Sequence, residues 1–241
     1  MDAAETNMWW YRALHTRLID ALAGVTASVL TTSGTGAHGR VLDAGCGTGR
    51  FLELIRIHRP DLERIGLEWN SAAAERARQK SGATVLRGSV NALPFSDASF
   101  DAAVSADVLC HAAVDPTIAL KELRRVLRPG GRLVVNMPAY QWLLAAHDRR
   151  VHNVRRQTAS ATAAMLRQAG FTRIRARYWN TLLLPLMVVQ RKILARGNAG
   201  SDVALFPPWL DATLHGMMEF ERRLPVPLPA GGSVLAIAEK P

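Results

Sequence analysis

Short apolar runs alternate with helix-like stretches along most of this 241-residue chain, and this alternation limits its possible folds more than any other feature. The runs predict strands at residues 40–44, 64–68, 84–87, 100–105, 132–136 and 233–239, and the alternating residues at 172–178 predict another strand before the last one. The stretches between them carry apolar residues at helical spacing and mostly end near glycine or proline. Strands that alternate with helices need crossover connections. The sequence therefore predicts an α/β fold: a Rossmann-like, seven-stranded, mostly parallel sheet with helices on both faces.

The predicted elements divide one domain into four segments. They are an N-terminal helical lid at 1–33, a core at 39–180, a helical cap insertion at 181–231 and the last strand at 232–241. Apolar residues at helical intervals run through 8–30 in the lid. The insertion breaks the strand–helix rhythm and contains two predicted helices, 182–196 and 209–223.

Charge and cysteine content narrow the classes of partner and compartment. The formal net charge of +10 favours anionic partners such as nucleic acid, acidic lipid headgroups or a phosphorylated or carboxylated substrate. Cys46 and Cys110 cannot form a disulfide framework, and neither has metal-binding spacing, so we expect a reducing, cytoplasmic compartment and no metal. The first residues show no signal-peptide pattern, and no apolar run reaches the ~20 residues of a membrane span.

A glycine-rich turn follows the first predicted strand. It runs from Asp43 through Gly45, Gly47 and Gly49 into the next helix, and Glu68 ends the second strand 19 residues after Gly49. An acid at that place accepts two hydrogen bonds from ribose hydroxyls, so the pattern predicts a nucleoside-containing cofactor. Asp43 would repel a pyrophosphate, and the spacing is GxGxG rather than GxGxxG. Both features favour the cationic S-adenosylmethionine over a dinucleotide. The alternative is a turn that only packs a helix on a strand.

Five segments carry a resemblance to a known family. They are VLDAGCGTGRFLE (41–53), GLEWN (66–70), GSVNALPFSDASFD (88–101), SADVLCH (105–111) and ELRRVLRPGGRLVVNMPAY (122–140). Over about a hundred residues, the chain resembles the class I S-adenosylmethionine-dependent methyltransferases, in particular their type 11 small-molecule branch. The resemblance implies a methyltransferase whose cofactor is S-adenosyl-L-methionine.

The resemblance also implies a cofactor site, made of Tyr11, Arg12, Asp43, Gly45, Cys46, Gly47, Glu68, Trp69, Ser89, Val90, Ala106 and Leu109. Asp43 and the glycine turn are expected to lie against the methionine, Glu68 to hold the ribose and Trp69 to flank the adenine. Ser89 stands where relatives commonly have aspartate, in contact with the adenine amino group. Val90 is expected to supply a backbone donor and an apolar wall, while Ala106 and Leu109 line the cofactor's other side. Arg12, in the predicted lid, is expected to meet the methionine carboxylate.

The acceptor should lie beyond the carboxyl ends of the strands, among the loops after the fourth and fifth strands and the insertion. The catalytic candidates there are His152, His111, Asp148, His147 and Tyr140, and the substrate-binding candidates are Trp142, Arg149, Arg155 and Arg156. If the segment is helical, Asp148 and His152 can pair at i, i+4, which would raise the basicity of the imidazole. The arginines suit phosphate or carboxylate; the alternative is a solvated basic face.

A basic mouth and an apolar insertion predict a small, anionic and partly apolar acceptor, such as a phosphate- or carboxylate-bearing prenyl or lipid-like molecule. The insertion could also make a weak membrane-surface or dimer contact. Two other functions stay open. The charge is compatible with an RNA methyltransferase, although no Asn/Asp-Pro-Pro-aromatic turn follows the fourth strand and no RNA-binding module is visible. The second open function is that of a non-catalytic partner subunit that binds the cofactor. A dehydrogenase is a further alternative, which Asp43 and the glycine spacing disfavour.

Overall fold

One seven-stranded sheet forms the centre of the protein. The structure is a computed structural model that describes residues 2–25, 39–192 and 206–241. The strands are β1 (Gly39–Ala44), β2 (Leu62–Glu68), β3 (Thr84–Arg87), β4 (Phe100–Ala106), β5 (Leu127–Pro138), β6 (Thr172–Trp179) and β7 (Ser233–Glu239). They lie in the order β3-β2-β1-β4-β5-β7-β6, and β7 runs antiparallel to both of its neighbours. The predicted fold class is confirmed.

Helices cover both faces of this sheet. They are α1 (Asp2–Asn7), α2 (Trp9–Ala21), α3 (Arg50–His58), α4 (Ser71–Ser81), α5 (Pro116–Val126), α6 (Ala146–Arg150), α7 (Ala159–Gln168), α8 (Leu184–Lys192) and α9 (Pro208–Arg223), with a 3-10 turn at Gln141–Leu143. Alternate residues of the strands enter two separate cores. Leu42 of β1 lies in the core shared with α5 and α7, whereas its neighbour Val41 lies in the core shared with α2, α3 and α9. Because both faces of the central strands are buried, consecutive residues in their sequences are apolar.

Some predicted boundaries are wrong. The helical stretch predicted at 8–30 ends as α2 at Ala21, and its last residues lie outside the described part of the chain. An additional short helix, α1, precedes it. β5 begins five residues earlier than predicted and includes the Pro129–Gly131 bend, since Leu127 already pairs with Phe100. Residues 193–205 of the predicted insertion are also outside the described part, so the four segment boundaries stay predictions.

The helix of the predicted lid packs against the helix of the predicted insertion. Leu14 and Leu18 of α2 share a core with Leu214 and Met218 of α9. Asp211 of α9 accepts hydrogen bonds from the Trp9 backbone N–H and the Arg12 guanidinium. These two elements therefore form one cover over a face of the sheet. None of the described helices combines the length and apolar character that a membrane crossing requires.

Candidate active site

The glycine turn between β1 and α3 is fixed by close packing. The backbone N–H of Gly45 donates to the Leu67 carbonyl at 2.8 Å, which ties the turn to β2. A Cβ on Gly45 would lie 2.3 Å from Val108 Cγ2, and one on Gly49 would lie 2.7 Å from Ala77 Cα. Both glycines have positive φ, 98° and 85°. Only glycine meets both demands, so the turn approaches β4's end and α4 more closely than any other residue would allow.

Glu68 stands at the end of β2 with its carboxylate against the glycine turn. Its Oε2 accepts from the Gly47 N–H at 3.0 Å, and its Oε1 accepts from the Asn70 N–H at 2.9 Å. Each oxygen thus has a second lone pair for a hydroxyl, which is the arrangement that a ribose diol needs. The next residue, Trp69, is 70% exposed, so a flat apolar face is available beside this acid.

Three carboxyl groups converge on the same turn. Burial, the largest cause, and the charges of Glu5 and Glu68 together raise the pKa of Asp43 to about 8. Glu5, on α1, accepts hydrogen bonds from the Thr48 hydroxyl at 2.5 Å and the Thr48 N–H at 3.4 Å, and burial raises its pKa as well. A positively charged ligand among these groups would relieve their repulsion and favour the ionised forms of Glu5 and Asp43. The turn therefore suits a cationic ligand.

Other predicted cofactor residues have different surroundings. The side chains of Val90 and Leu109 lie in the core, which leaves only their backbone for contact with a cofactor. Cys46 is buried beside Gly66, and Ala106 is half-buried at the end of β4. The Ser89 hydroxyl accepts from the Asn91 N–H at 3.2 Å.

Two residues of α2, Tyr11 and Arg12, are also predicted to contact the cofactor. The Arg12 guanidinium forms an ion pair with Asp211 of α9, so it is already engaged rather than free to meet a methionine carboxylate. The Tyr11 ring packs edge-on against Trp10, with centroids 5.0 Å apart. Burial raises the pKa of Tyr11, and the charges of Glu5 and Asp107 raise it further. Tyr11 therefore lies within electrostatic reach of both acids.

The predicted pairing of Asp148 with His152 is wrong. α6 ends at Arg150, and His152 is exposed with a φ of 57°, outside the helix. The buried Asp148 carboxylate instead accepts from Arg156 Nη1 at 2.6 Å, Arg191 Nη1 at 2.9 Å and the Ala145 N–H at 2.9 Å. Asp148 therefore joins the loop after β5 to α8, a structural role.

The arginines predicted to bind an anion are mostly engaged. Arg156 is buried and also donates to the Ala139 carbonyl at 2.8 Å, and Arg155 donates to the His111 carbonyl at 2.6 Å. Arg149 is exposed on α6. Arg155 and Arg156 are therefore engaged within the protein, and the anionic character of the acceptor stays a prediction.

The structure brings other candidates together. The rings of His111 and His152 lie 5.8 Å apart; burial and the neighbouring His152 lower the pKa of His111. Tyr140 stacks on Tyr178 at 5.4 Å and lies 5.7 Å from Trp142, which is 52% exposed. Burial and Tyr178 raise the pKa of Tyr140 to about 12. Their roles stay predictions. The side chain of His147 lies outside the described part of the structure.

Sequence reasoning missed a polar relay at the ends of β4, β5 and β6. Trp179 Nε1 donates to Asn136 Oδ1 at 2.9 Å, and Asn136 Nδ2 donates to Asp107 Oδ1 at 2.9 Å. The position of Asp107 directly after the fourth strand could have indicated a functional acid. The connection of Asp107 to Trp179 through Asn136 depends on the strand order, which the sequence does not show. Within the described residues, no three Asp, Glu, His or Cys side chains come together as a metal site.

The sheet order, the glycine turn after β1 and the acid at the end of β2 agree with the predicted class I S-adenosylmethionine-dependent methyltransferase fold. Residues 42–135 match the family model described as "Methyltransferase domain", so the chain carries such a domain. Demethylmenaquinone methyltransferase of Deinococcus radiodurans is 42% identical over 101 residues, which cover 40% of this chain and 42% of that protein. The predicted class and cofactor are confirmed.

Solved structures resemble nearly the whole chain at lower identity. A possible histamine N-methyltransferase from Thermotoga maritima matches 96% of this chain and 94% of its own, with a TM-score of 0.57 and 22% identity. A geranyl diphosphate methyltransferase solved with S-adenosylmethionine matches 95% and 85%, with a TM-score of 0.63 and 14% identity. At these identities the likeness supports the fold. Curated relatives are matched over about a quarter to a half of their length, for example 23% and 51%.

Proposed function

We propose that this protein transfers the methyl group of S-adenosylmethionine to a small, partly apolar acceptor. The observation that carries the proposal is the set of carboxyl groups of Glu5, Asp43 and Glu68 around the glycine turn. Burial and the neighbouring negative charges disfavour the ionised forms of Glu5 and Asp43, and the Glu68 carboxylate lies against the same turn, so the set suits a cationic ligand with a ribose.

Each of three residues is assigned to a different part of the cofactor. The carboxylate of Glu68 accepts the ribose hydroxyls, the Trp69 indole packs on the base, and Asp43 stabilises positive charge near the turn. When bound, S-adenosylmethionine supplies a methyl group on a positively charged sulfur. The protein then has to align the acceptor with that methyl group and exclude water, which by itself can contribute several kcal/mol.

The acceptor's place is inferred from the elements around the turn. The end of β4 lies next to the turn in the sheet and the end of β5 lies beyond it, while the helices α2 and α9 cover the adjoining face. Partly exposed apolar residues on α8 and α9 supply a surface for an apolar body. The names of two similar proteins, a demethylmenaquinone and a geranyl diphosphate methyltransferase, agree with acceptors of this kind. The anionic character of the acceptor stays a prediction from sequence.

Two matched pairs of acceptors test the proposal. Geraniol and geranyl diphosphate share an apolar chain, as do octylamine and octanoate, but only one member of each pair is an anion. Purified protein is incubated with S-adenosylmethionine and each compound, and formation of S-adenosylhomocysteine is measured. We expect turnover of at least one of the four, and none of bulk tRNA.

Three results contradict the proposal. Preferential methylation of tRNA would support the RNA methyltransferase alternative. Cofactor binding without turnover of any acceptor would support a non-catalytic partner subunit. Absence of cofactor binding would remove the basis of the proposal.

A further inference from the structure

Asp107 has an unusual backbone conformation at the carboxyl end of β4. Its φ is 54°, in a region that non-glycine residues seldom occupy and that is enriched at functional sites. Its backbone N–H donates to the Asn136 carbonyl at 3.0 Å, so the strained residue is held by β5. One carboxylate oxygen, Oδ1, accepts from Asn136 Nδ2. No residue in the described part of the chain donates to Oδ2.

The Asn136 side chain can present only its NH₂ group to Asp107. The indole N–H of Trp179 can only donate, so the Asn136 oxygen must face it and the nitrogen must face Asp107. Asn136 is fully buried and Trp179 is nearly so, which leaves this amide no other orientation. The relay therefore fixes the position of the Asp107 carboxylate and keeps Oδ2 available.

Asp107 also lies between the glycine turn and an aromatic wall. The wall consists of the half-buried Trp10 and Tyr11, and Trp10 stacks on the buried Trp179 at 5.8 Å. The neighbouring Val108 packs against Gly45 of the turn. The charge of Asp107 contributes to the raised pKa of Tyr11. An acceptor resting on this wall would thus lie beside both the turn and Asp107 Oδ2.

We infer that Asp107 is a catalytic residue that accepts the proton of a hydroxyl or amine acceptor, and that Asn136 is its positioning residue. This inference rests on the proposed function. In the step, a lone pair of the acceptor's oxygen or nitrogen forms a bond to the methyl carbon. The carbon–sulfur bond breaks with its electron pair left on sulfur, and the acceptor's proton passes to Asp107, which later releases it to water.

The groups around Asp107 determine the pH dependence. Burial has the largest effect on the pKa of Asp107 and raises it. Asp148 also raises it, while the Asn136 hydrogen bond and Arg156 lower it, and the net result is a pKa of about 7. The other titratable neighbours are Tyr11 and Cys110, whose pKa values burial and Asp107 raise. Because the ionised form accepts the proton, kcat/KM should rise with pH through about 7.

The inference also predicts the acceptor class. Asp43, Glu68 and Asp107 all lie at the same edge of the sheet. Of the three predicted anion-binding arginines, Arg155 and Arg156 are engaged within the protein and Arg149 is exposed on α6. A hydroxyl or amine without an anionic group fits this edge better than a phosphate or carboxylate. We therefore expect geraniol or octylamine to be methylated faster than geranyl diphosphate or octanoate.

The test compares Asp107→Asn with Asp97→Asn, using whichever of the four acceptors the unmodified protein methylates fastest. Asparagine tolerates positive φ, so Asp107→Asn should fold, and thermal unfolding checks this. Asp97 is an exposed acid just before β4, at the opposite edge of the sheet. We expect Asp107→Asn to lower kcat by about 10²-fold with S-adenosylmethionine affinity within threefold, and Asp97→Asn to change neither.

Asn136→Ala separates positioning from structural support. Loss of its hydrogen bond should raise the pKa of Asp107, so the acid limb of kcat/KM should move to higher pH, which general destabilisation would not cause. Three results overturn the inference alone: an Asp107→Asn enzyme with normal kcat, loss of kcat only in His111→Ala or His152→Ala, and preference for the anionic acceptors. Failure of the unmodified protein to methylate any acceptor overturns the proposed function as well.

Discussion

Substitution of the buried Asp148 tests whether this residue stabilises the loop after β5 rather than taking part in catalysis. The Asp148 carboxylate accepts from Arg156 and Arg191, and the side chains of Asp148 and Arg156 are only 3% and 4% exposed. Asp148→Ala would leave the buried Arg156 charge without its counter-ion. Removal of one partner of a buried ion pair typically costs about 3–5 kcal/mol, mostly because the other charge is left uncompensated. We expect a loss of this size in the free energy of unfolding.

Urea unfolding of both proteins, followed by circular dichroism, measures this loss. The matched control is Arg173→Ala, which breaks the ion pair with Glu239 at the surface; Arg173 is 79% exposed, and such pairs contribute about 0–1 kcal/mol. Cofactor affinity of the folded Asp148→Ala protein should be unchanged. A loss under about 1 kcal/mol together with a large fall in kcat would refute the structural role and restore the catalytic one.

Two further predictions concern the glycine turn. Gly49→Ala should destabilise the protein more than Gly82→Ala in urea unfolding, since both glycines have positive φ but only Gly49 faces the Ala77 backbone at 2.7 Å; equal losses would show that φ alone matters. The cofactor-free protein should become less stable as pH rises from about 4 towards 8, because the folded state keeps the Asp43 proton that the unfolded state releases. Asp43→Asn should flatten this dependence, and an unchanged slope would contradict the assignment.

The fold was predictable because its signals are local. The central strands β1, β4 and β5 contain apolar runs bounded by turn residues, and the glycine turn and Glu68 follow directly from the ends of β1 and β2. The error at β5 has the same origin: the Pro129–Gly131 bend resembles a turn, but pairing of Leu127 with β4 extends the strand before it.

The polar contacts of the acceptor region were not predictable in this way. The i, i+4 rule for Asp148 assumes a helix through His152, but α6 has only five residues and Asp148 pairs with Arg191, which lies 43 residues away. Glu5 reaches the turn from a helix whose sequence gives no sign of its docking site. Long-range contacts of charged side chains depend on how the covering helices pack, which periodicity does not reveal.

The role of Glu68 is the part of the account on which the rest depends. Isothermal calorimetry of S-adenosylmethionine binding should compare the unmodified protein with Glu68→Ala and with Glu63→Ala, an exposed acid near the other end of the same strand. Hydrogen bonds to a charged group contribute about 1.5–3 kcal/mol each, so Glu68→Ala should weaken binding at least tenfold. Glu63→Ala should leave the affinity unchanged. Equal affinities of all three folded proteins, or no binding by the unmodified one, would contradict the account.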